Sequence, residues 1–138
     1  MKALVLDAST TLGFLLKDEQ AAPSMKALDA IEQGATTHVP MHWWLETANG
    51  LLMAERRKRA SQADITEALQ LLQALPITTD DETAQRSGRE TMALARQYAL
   101  TSYDAAYLEL AMRREAVLVT TDRALAAAAT DIGVSILR

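Results

Sequence analysis

The sequence predicts an α/β domain whose central, mostly parallel sheet has four or five short strands flanked by helices. Two observations carry this reading. Short runs of strand-forming residues alternate with longer segments whose apolar residues recur at helical spacing. The 138 residues are also the size of one ordinary domain, and such a chain buries roughly two-thirds of the surface it exposes when unfolded. No internal repeat, low-complexity segment or linker divides it, so a single domain over residues 1–138 is expected.

The elements follow in order. Ala3 to Leu6 is a short apolar run ending at Asp7. Helical patterning extends from there to about Leu16, and again from Ala21 to about Gln33, where Gly34 supplies a stop. Thr36 to Val39 reads as a second strand, closed by Pro40. From Met41 to about Arg59, Trp44, Leu45, Ala48, Leu51 and Leu52 recur at helical spacing and are taken as the inward stripe. Ser61 or Gln62 opens a helix with Ile65, Ala68, Leu69 and Leu72 inward; Pro76 ends it, and Ile77 to Thr79 forms a third strand. Asp80 to Tyr98 reads as a helix weakened at Gly88. Thr101 or Ser102 caps the next helix, with Ala105, Leu108 and Met112 inward. Ala116 to Thr120 is the clearest strand, Asp122 to Ala129 a short alanine-rich helix, and Val134 to Leu137 a last strand.

Hydrophobic residues make up 49% and charged residues 23% of the chain, which disfavours disorder and fibrous repeats. No apolar run reaches membrane-spanning length. The apolar start stops at Asp7, too early for a secretory signal. With no cysteine, disulfide and thiol chemistry are excluded, and a cytoplasmic location is the simplest reading. The net charge of −4 runs against the basic surface that phosphate contact favours. Metal-holding carboxylates would account for part of that charge. The basic residues are also clustered, with Arg56, Arg57, Lys58 and Arg59 consecutive and Arg113 and Arg114 paired. Arg56, Arg57 and Arg59 are candidates for a nucleic-acid surface, although a solvated helix end explains the same run.

Four acids take matching positions. Asp7 follows the first strand, Glu46 lies early in the helix after the second, Asp104 near the start of its helix, and Asp122 just past the strand ending at Thr120. Ligands of open parallel sheets bind outside the carboxyl ends of the strands. Asp7, Glu46 and Asp122 would therefore open onto one edge, with Asp104 joining them. Carboxylates so crowded repel unless cations share the charge, and hard divalent ions are the partners of oxygen-only ligands. Each acid also has a structural reading. Asp7 and Asp122 could cap helices, Asp104 could complete a capping box with Thr101, and Glu46 could be an exposed helical glutamate. Composition and spacing leave both readings open.

Val5-Leu6-Asp7-Ala8-Ser9, Glu46-Thr47-Ala48-Asn49-Gly50-Leu51, Leu100-Thr101-Ser102-Tyr103-Asp104-Ala105-Ala106-Tyr107 and Thr120-Thr121-Asp122 together resemble the PIN-domain family, and within it the VapC-type toxins of bacterial toxin–antitoxin pairs. The resemblance runs in order over essentially the whole chain. It implies a PIN-like three-layer fold and a Mg²⁺- or Mn²⁺-dependent endoribonuclease. Asp7, Glu46, Asp104 and Asp122 take the places of the family's acids, with Asp7 and Asp104 as main metal ligands and Asp122 and Glu46 completing the site. Ser9, Asn49 and Thr120 take those of polar groups that orient carboxylates or the scissile phosphate. Gly50 stands where a larger residue is more usual, which would loosen its helix slightly. The resemblance further implies an RNA substrate, a homodimer and a cognate antitoxin protein that blocks the acidic cleft. An RNA-processing nuclease of the same fold without an antitoxin is the nearest alternative.

Other features carry less. His38 and His42 are four apart, but Pro40 between them argues against a helical zinc pair. Trp43 and Trp44 are adjacent and cannot share one helix face. With Trp44 on the inward stripe, Trp43 is the candidate for a partner surface or for base stacking. Asp7 as a phosphoacceptor is disfavoured, because no second acid adjoins it and no lysine follows Lys58.

Overall fold

Four three-residue strands, β1 (Leu4–Leu6), β2 (Thr37–Val39), β3 (Ile77–Thr79) and β4 (Val117–Val119), form one parallel sheet in the order β3-β2-β1-β4. The structure is a computed structural model that describes residues 2–137; Met1 and Arg138, the ends of the expected domain, lie outside the described residues. β1 is central and wholly buried, as expected of a strand covered on both faces.

The connections determine the layers. From β1 the chain passes through α1 (Ala8–Leu15) and α2 (Ala22–Glu32) to β2, then through α3 (Trp43–Arg56) and α4 (Gln62–Ala74) to β3. Both crossovers step the same way across the sheet, so right-handed crossovers put these helices on one face. The third step reverses, passing from β3 at one edge to β4 beyond β1. Its helices, α5 (Thr83–Arg86), α6 (Met92–Tyr98) and α7 (Ser102–Arg113), therefore cover the other face, joined by α8 (Arg123–Ile132). Packing agrees: α1 lies against α2 and α3, and α7 against α6 and α8. The expected three-layer arrangement is the observed one. The reversal makes the β1–β4 boundary the switch point, where α/β sheets open a crevice.

Local chemistry starts and stops the helices. Ser61 and Asp64 form a reciprocal capping box at α4, Thr101 caps α7, and Gly34 and Gly133 supply positive φ just after α2 and α8.

Four expectations need correction. Val134 to Leu137 is not a strand but a single parallel bridge of Ile136 to Leu118, held by Leu118 N–H to Ser135 C=O and Leu137 N–H to Leu118 C=O. The helix expected over 80–98 starts only at Thr83 and is interrupted by a π turn, Ser87–Thr91, around Gly88. Such a bulge inserts a residue and re-phases the helix, which here leaves Thr91 and Leu94 buried. Met112 and Leu69 lie 40% and 39% exposed rather than inward.

The fourth correction is the face of α3. Its buried residues are Trp43, Thr47, Leu51 and Ala54, while Trp44, Leu45 and Leu52 are exposed. The true stripe contains a threonine, so counting apolar residues selects the wrong arc. Trp43, expected at a surface, is fully buried and donates its indole N–H to Thr11. It is therefore excluded as a base-stacking residue. Gly50 is tight rather than loose: a Cβ there would collide with the Leu12 side chain, so α3 approaches α1 closely because the residue is glycine. Among the described residues no helix is long and apolar enough to cross a membrane.

Candidate metal centre at the switch point

Asp7 leaves the end of β1 and caps α1. Its Oδ1 accepts the Thr10 N–H at 2.8 Å, and its backbone C=O accepts the Thr11 hydroxyl at 2.8 Å. On the neighbouring strand Asp122 does the same for α8, accepting the Leu125 N–H on Oδ1 at 2.8 Å, while its own N–H donates to the Thr120 hydroxyl oxygen at 3.0 Å. Capping therefore does not preclude ligation by the same carboxylates. Each cap uses Oδ1 and leaves Oδ2 outside it.

Asp104 and Glu46 approach from the helices. Asp104 is half-buried in the first turn of α7, its N–H donating to the Thr101 hydroxyl oxygen at 3.1 Å. The returning bond of a capping box is not formed. The Thr101 hydroxyl slightly lowers the Asp104 carboxyl, against the larger effects that raise it. Glu46, in the first turn of α3, accepts the buried Tyr107 hydroxyl on Oε1 at 2.6 Å, and His42 Nε2 lies 3.5 Å from the same oxygen. His42 Nε2 also sits 3.0 Å from the Tyr103 carbonyl oxygen, which ties the starts of α3 and α7 together.

The electrostatics mark these acids as a group. Burial pushes the Asp7 carboxyl above its ordinary value; bonds from Thr120 and Thr10 hold it down in part, and the Asp122 charge adds to the rise. Asp104 is raised by burial first, then by the charges of Asp122, Glu46 and Asp7 in turn. Asp104 thus feels all three other acids. Among the described residues no lysine or arginine pairs with any of the four, and His42 beside Glu46 is the one basic side chain within ion-pair distance. Acids gathered without basic partners favour protonation or a bound cation.

A second acidic group has a different character. Asp80, Asp81 and Glu82, after β3, bring ligand atoms within 4.8 Å of one another, which no three of Asp7, Glu46, Asp104 and Asp122 do. Yet Asp80 is buried in a two-bond pair with Arg113, at 2.8 and 2.9 Å, and Arg113 also reaches Glu82 and Glu109. Its charge is already compensated. The four predicted acids are uncompensated and more widely spaced. That suits Mg²⁺, which is bound through one or two carboxylates and keeps several of its waters.

The remaining predicted residues divide. Thr120 lies beside these acids: its hydroxyl accepts the Asp122 N–H, and it lowers the Asp7 carboxyl. Ser9 and Asn49 are exposed, and neither bonds to one of the four acids. Arg56 and Arg57 are exposed at the far end of α3, whereas Arg59 is engaged by Asp18 and Glu19 at 2.8–3.1 Å. Sequence reasoning missed Thr10, His42 and Tyr107. Tyr107 stood three residues after Asp104, on the same helix face, which was the available signal.

Comparisons with known proteins agree with this architecture. A family model described as PIN domain matches residues 4–131. Ribonuclease VapC3 of Mycobacterium tuberculosis is 30% identical over 125 residues, covering 91% of this chain and 86% of that protein. Among solved structures, PAE2754 from Pyrobaculum aerophilum superposes with a TM-score of 0.68 at 23% identity, over 92% of this chain and 79% of that one. VapBC2 from Rickettsia felis, bound to a DNA fragment from its promoter, does so with a TM-score of 0.60 at 15% identity over 87% of each chain.

Proposed function

The chain belongs to the PIN-domain family, and we propose that it is a metal-dependent endoribonuclease, the toxin of a toxin–antitoxin pair, working at the Asp7, Glu46, Asp104 and Asp122 centre as one domain over residues 1–138. The observation that carries the reading is Asp104. Burial first and then three further carboxylates raise it, and no lysine or arginine among the described residues pairs with any of the four. Similarity to a protein named as a ribonuclease supports RNA as the substrate. Fold similarity to a toxin-antitoxin complex from Klebsiella pneumoniae, with a TM-score of 0.59 at 15% identity, supports a partner antitoxin. A homodimer and a cytoplasmic location, where cellular RNA lies, complete the reading.

Asp7 and Asp104 would hold Mg²⁺ or Mn²⁺, with Glu46 and Asp122 completing the site directly or through water. A bound divalent ion supplies two things to phosphodiester hydrolysis: a lower pKa for attacking water and neutralisation of the phosphoryl oxygens. The chain's own residues provide the frame. Thr10 and Leu125 N–H groups pin one oxygen each of Asp7 and Asp122. Thr120 fixes the backbone of Asp122, and Thr101 fixes the start of the helix carrying Asp104.

Incubating the full chain with total RNA and Mg²⁺ tests this. Cleavage should leave 5′-phosphate and 3′-hydroxyl ends, stop with EDTA and be abolished by Asp7→Asn. Full activity of a folded Asp7→Asn protein, or 2′,3′-cyclic phosphate ends, would overturn the assignment.

A further inference from the structure

We propose that Tyr107 is a positioning residue for Glu46, its buried hydroxyl fixing one carboxylate oxygen so that the other is presented to the cation. This rests on the metal-centre reading above. Tyr107 is 1% exposed, and a buried phenol needs a hydrogen-bond partner. Its partner is a glutamate on another helix whose side chain is 38% exposed. Left alone, such a side chain samples several rotamers, and ordering it on an ion costs entropy. The 2.6 Å bond to Oε1 places that ordering in the folded protein instead.

The surroundings support a directed contact. The His42 ring packs edge-on against the Tyr107 ring, centroids 5.3 Å apart, and its Nε2 faces the same Oε1 at 3.5 Å. Both neighbours engage Oε1 and leave Oε2 outside the contact. Tyr107 also follows Asp104 by three residues, so both project from one face of α7. A single helix face thus carries one ligand and holds another. The phenol donates in this contact and the Glu46 carboxylate accepts.

Calorimetric titration of the full chain with Mn²⁺ tests the role without relying on catalysis. Tyr107→Phe keeps the ring and removes only the hydroxyl. Mn²⁺ affinity should fall about 10–100-fold, the usual effect of losing a group that orients a ligand. The same substitution in a Glu46→Gln background should add little, since the two residues then act as one unit. Unchanged affinity in Tyr107→Phe, or an equal loss in both backgrounds, overturns the proposal. Should Tyr107→Phe not fold, Glu46→Asp draws the carboxylate away from the hydroxyl, and wild-type affinity in that variant overturns it equally. Asp7→Asn separates the two levels. If it loses Mn²⁺ while Tyr107→Phe does not, only the positioning role fails; if Asp7→Asn binds as wild type, the centre itself is wrong.

Discussion

The indole N–H of Trp43 donates to the hydroxyl of Thr11 across 3.2 Å, and that hydroxyl donates onward to the backbone carbonyl of Asp7 at 2.8 Å. One threonine thus joins the first residue of α3 to the residue at the end of β1. It sets the helix that carries Glu46 against the strand that presents Asp7. Thr11 is fully buried, so Thr11→Val, of nearly equal shape, strands the indole donor without opening a cavity. A buried donor left unpaired costs about 1–3 kcal/mol. Urea unfolding should show that loss, and Thr11→Ser should recover most of it.

Asp7→Asn should stabilise the metal-free protein while removing activity. Asparagine caps a helix as well as aspartate, so the cap on Thr10 survives. Burial raises the Asp7 carboxyl above its unfolded value of 3.8. An acid raised on folding contributes its stability below the unfolded value and loses it as pH climbs through the folded value. At neutral pH the charged wild-type side chain is therefore a cost that the variant lacks. Thermal melts in EDTA should place the variant a few degrees higher at pH 7, with the gap closing as pH falls toward 4. Saturating Mn²⁺ should reverse the order, because the wild type gains more from the ion.

Arg113 makes the opposite case. Burial alone would raise Asp80, but bonds from Arg113 and Thr83 overcome it and hold the carboxyl below 3.8. Stability from a lowered acid is present above the unfolded value and is lost as pH falls through the folded one. Arg113→Met leaves Asp80, 2% exposed, without its counter-charge. Removing one partner of a buried pair costs on the order of 3–5 kcal/mol. Chemical denaturation should register this, and Mn²⁺ affinity of the protein that remains folded should be unchanged. Weaker Mn²⁺ binding in the conservative Asp80→Asn would move the metal site to the Asp80 cluster.

The contrast shows what a linear reading can recover. Asp7 and Asp122 were legible because a strand, an acid and a helix start follow one another locally, and a parallel sheet aligns such junctions whatever their separation. Glu46 and Asp104 were legible only through the company they keep. Trp43 was misread because its burial depends on how α3 rotates against α1, a tertiary choice made by Thr11, Leu12 and Gly50 rather than by the helix's own apolar count. The segment at the β4 edge falls short of a strand because Ile136 alone pairs there, with Leu118. Tyr107 lies within a motif legible in the sequence, but its bond to Glu46 spans 61 positions and leaves no local trace.

Gly50 allows a test of that tertiary choice. In an exposed helix, alanine in place of glycine stabilises by about 1 kcal/mol. Here the added Cβ would meet three atoms of the Leu12 side chain, which is partly buried and packed against the core. Overpacking of this kind costs typically about 1–3 kcal/mol, so the clash should outweigh the propensity gain and Gly50→Ala should melt lower than wild type. Leu12→Ala alone should also melt lower, by loss of packing. The double variant relieves the clash that the first creates, so it should be more stable than the two single losses sum to. Additive losses would mean that α3 does not rest on Leu12, and that glycine stands at this position for some reason other than close approach.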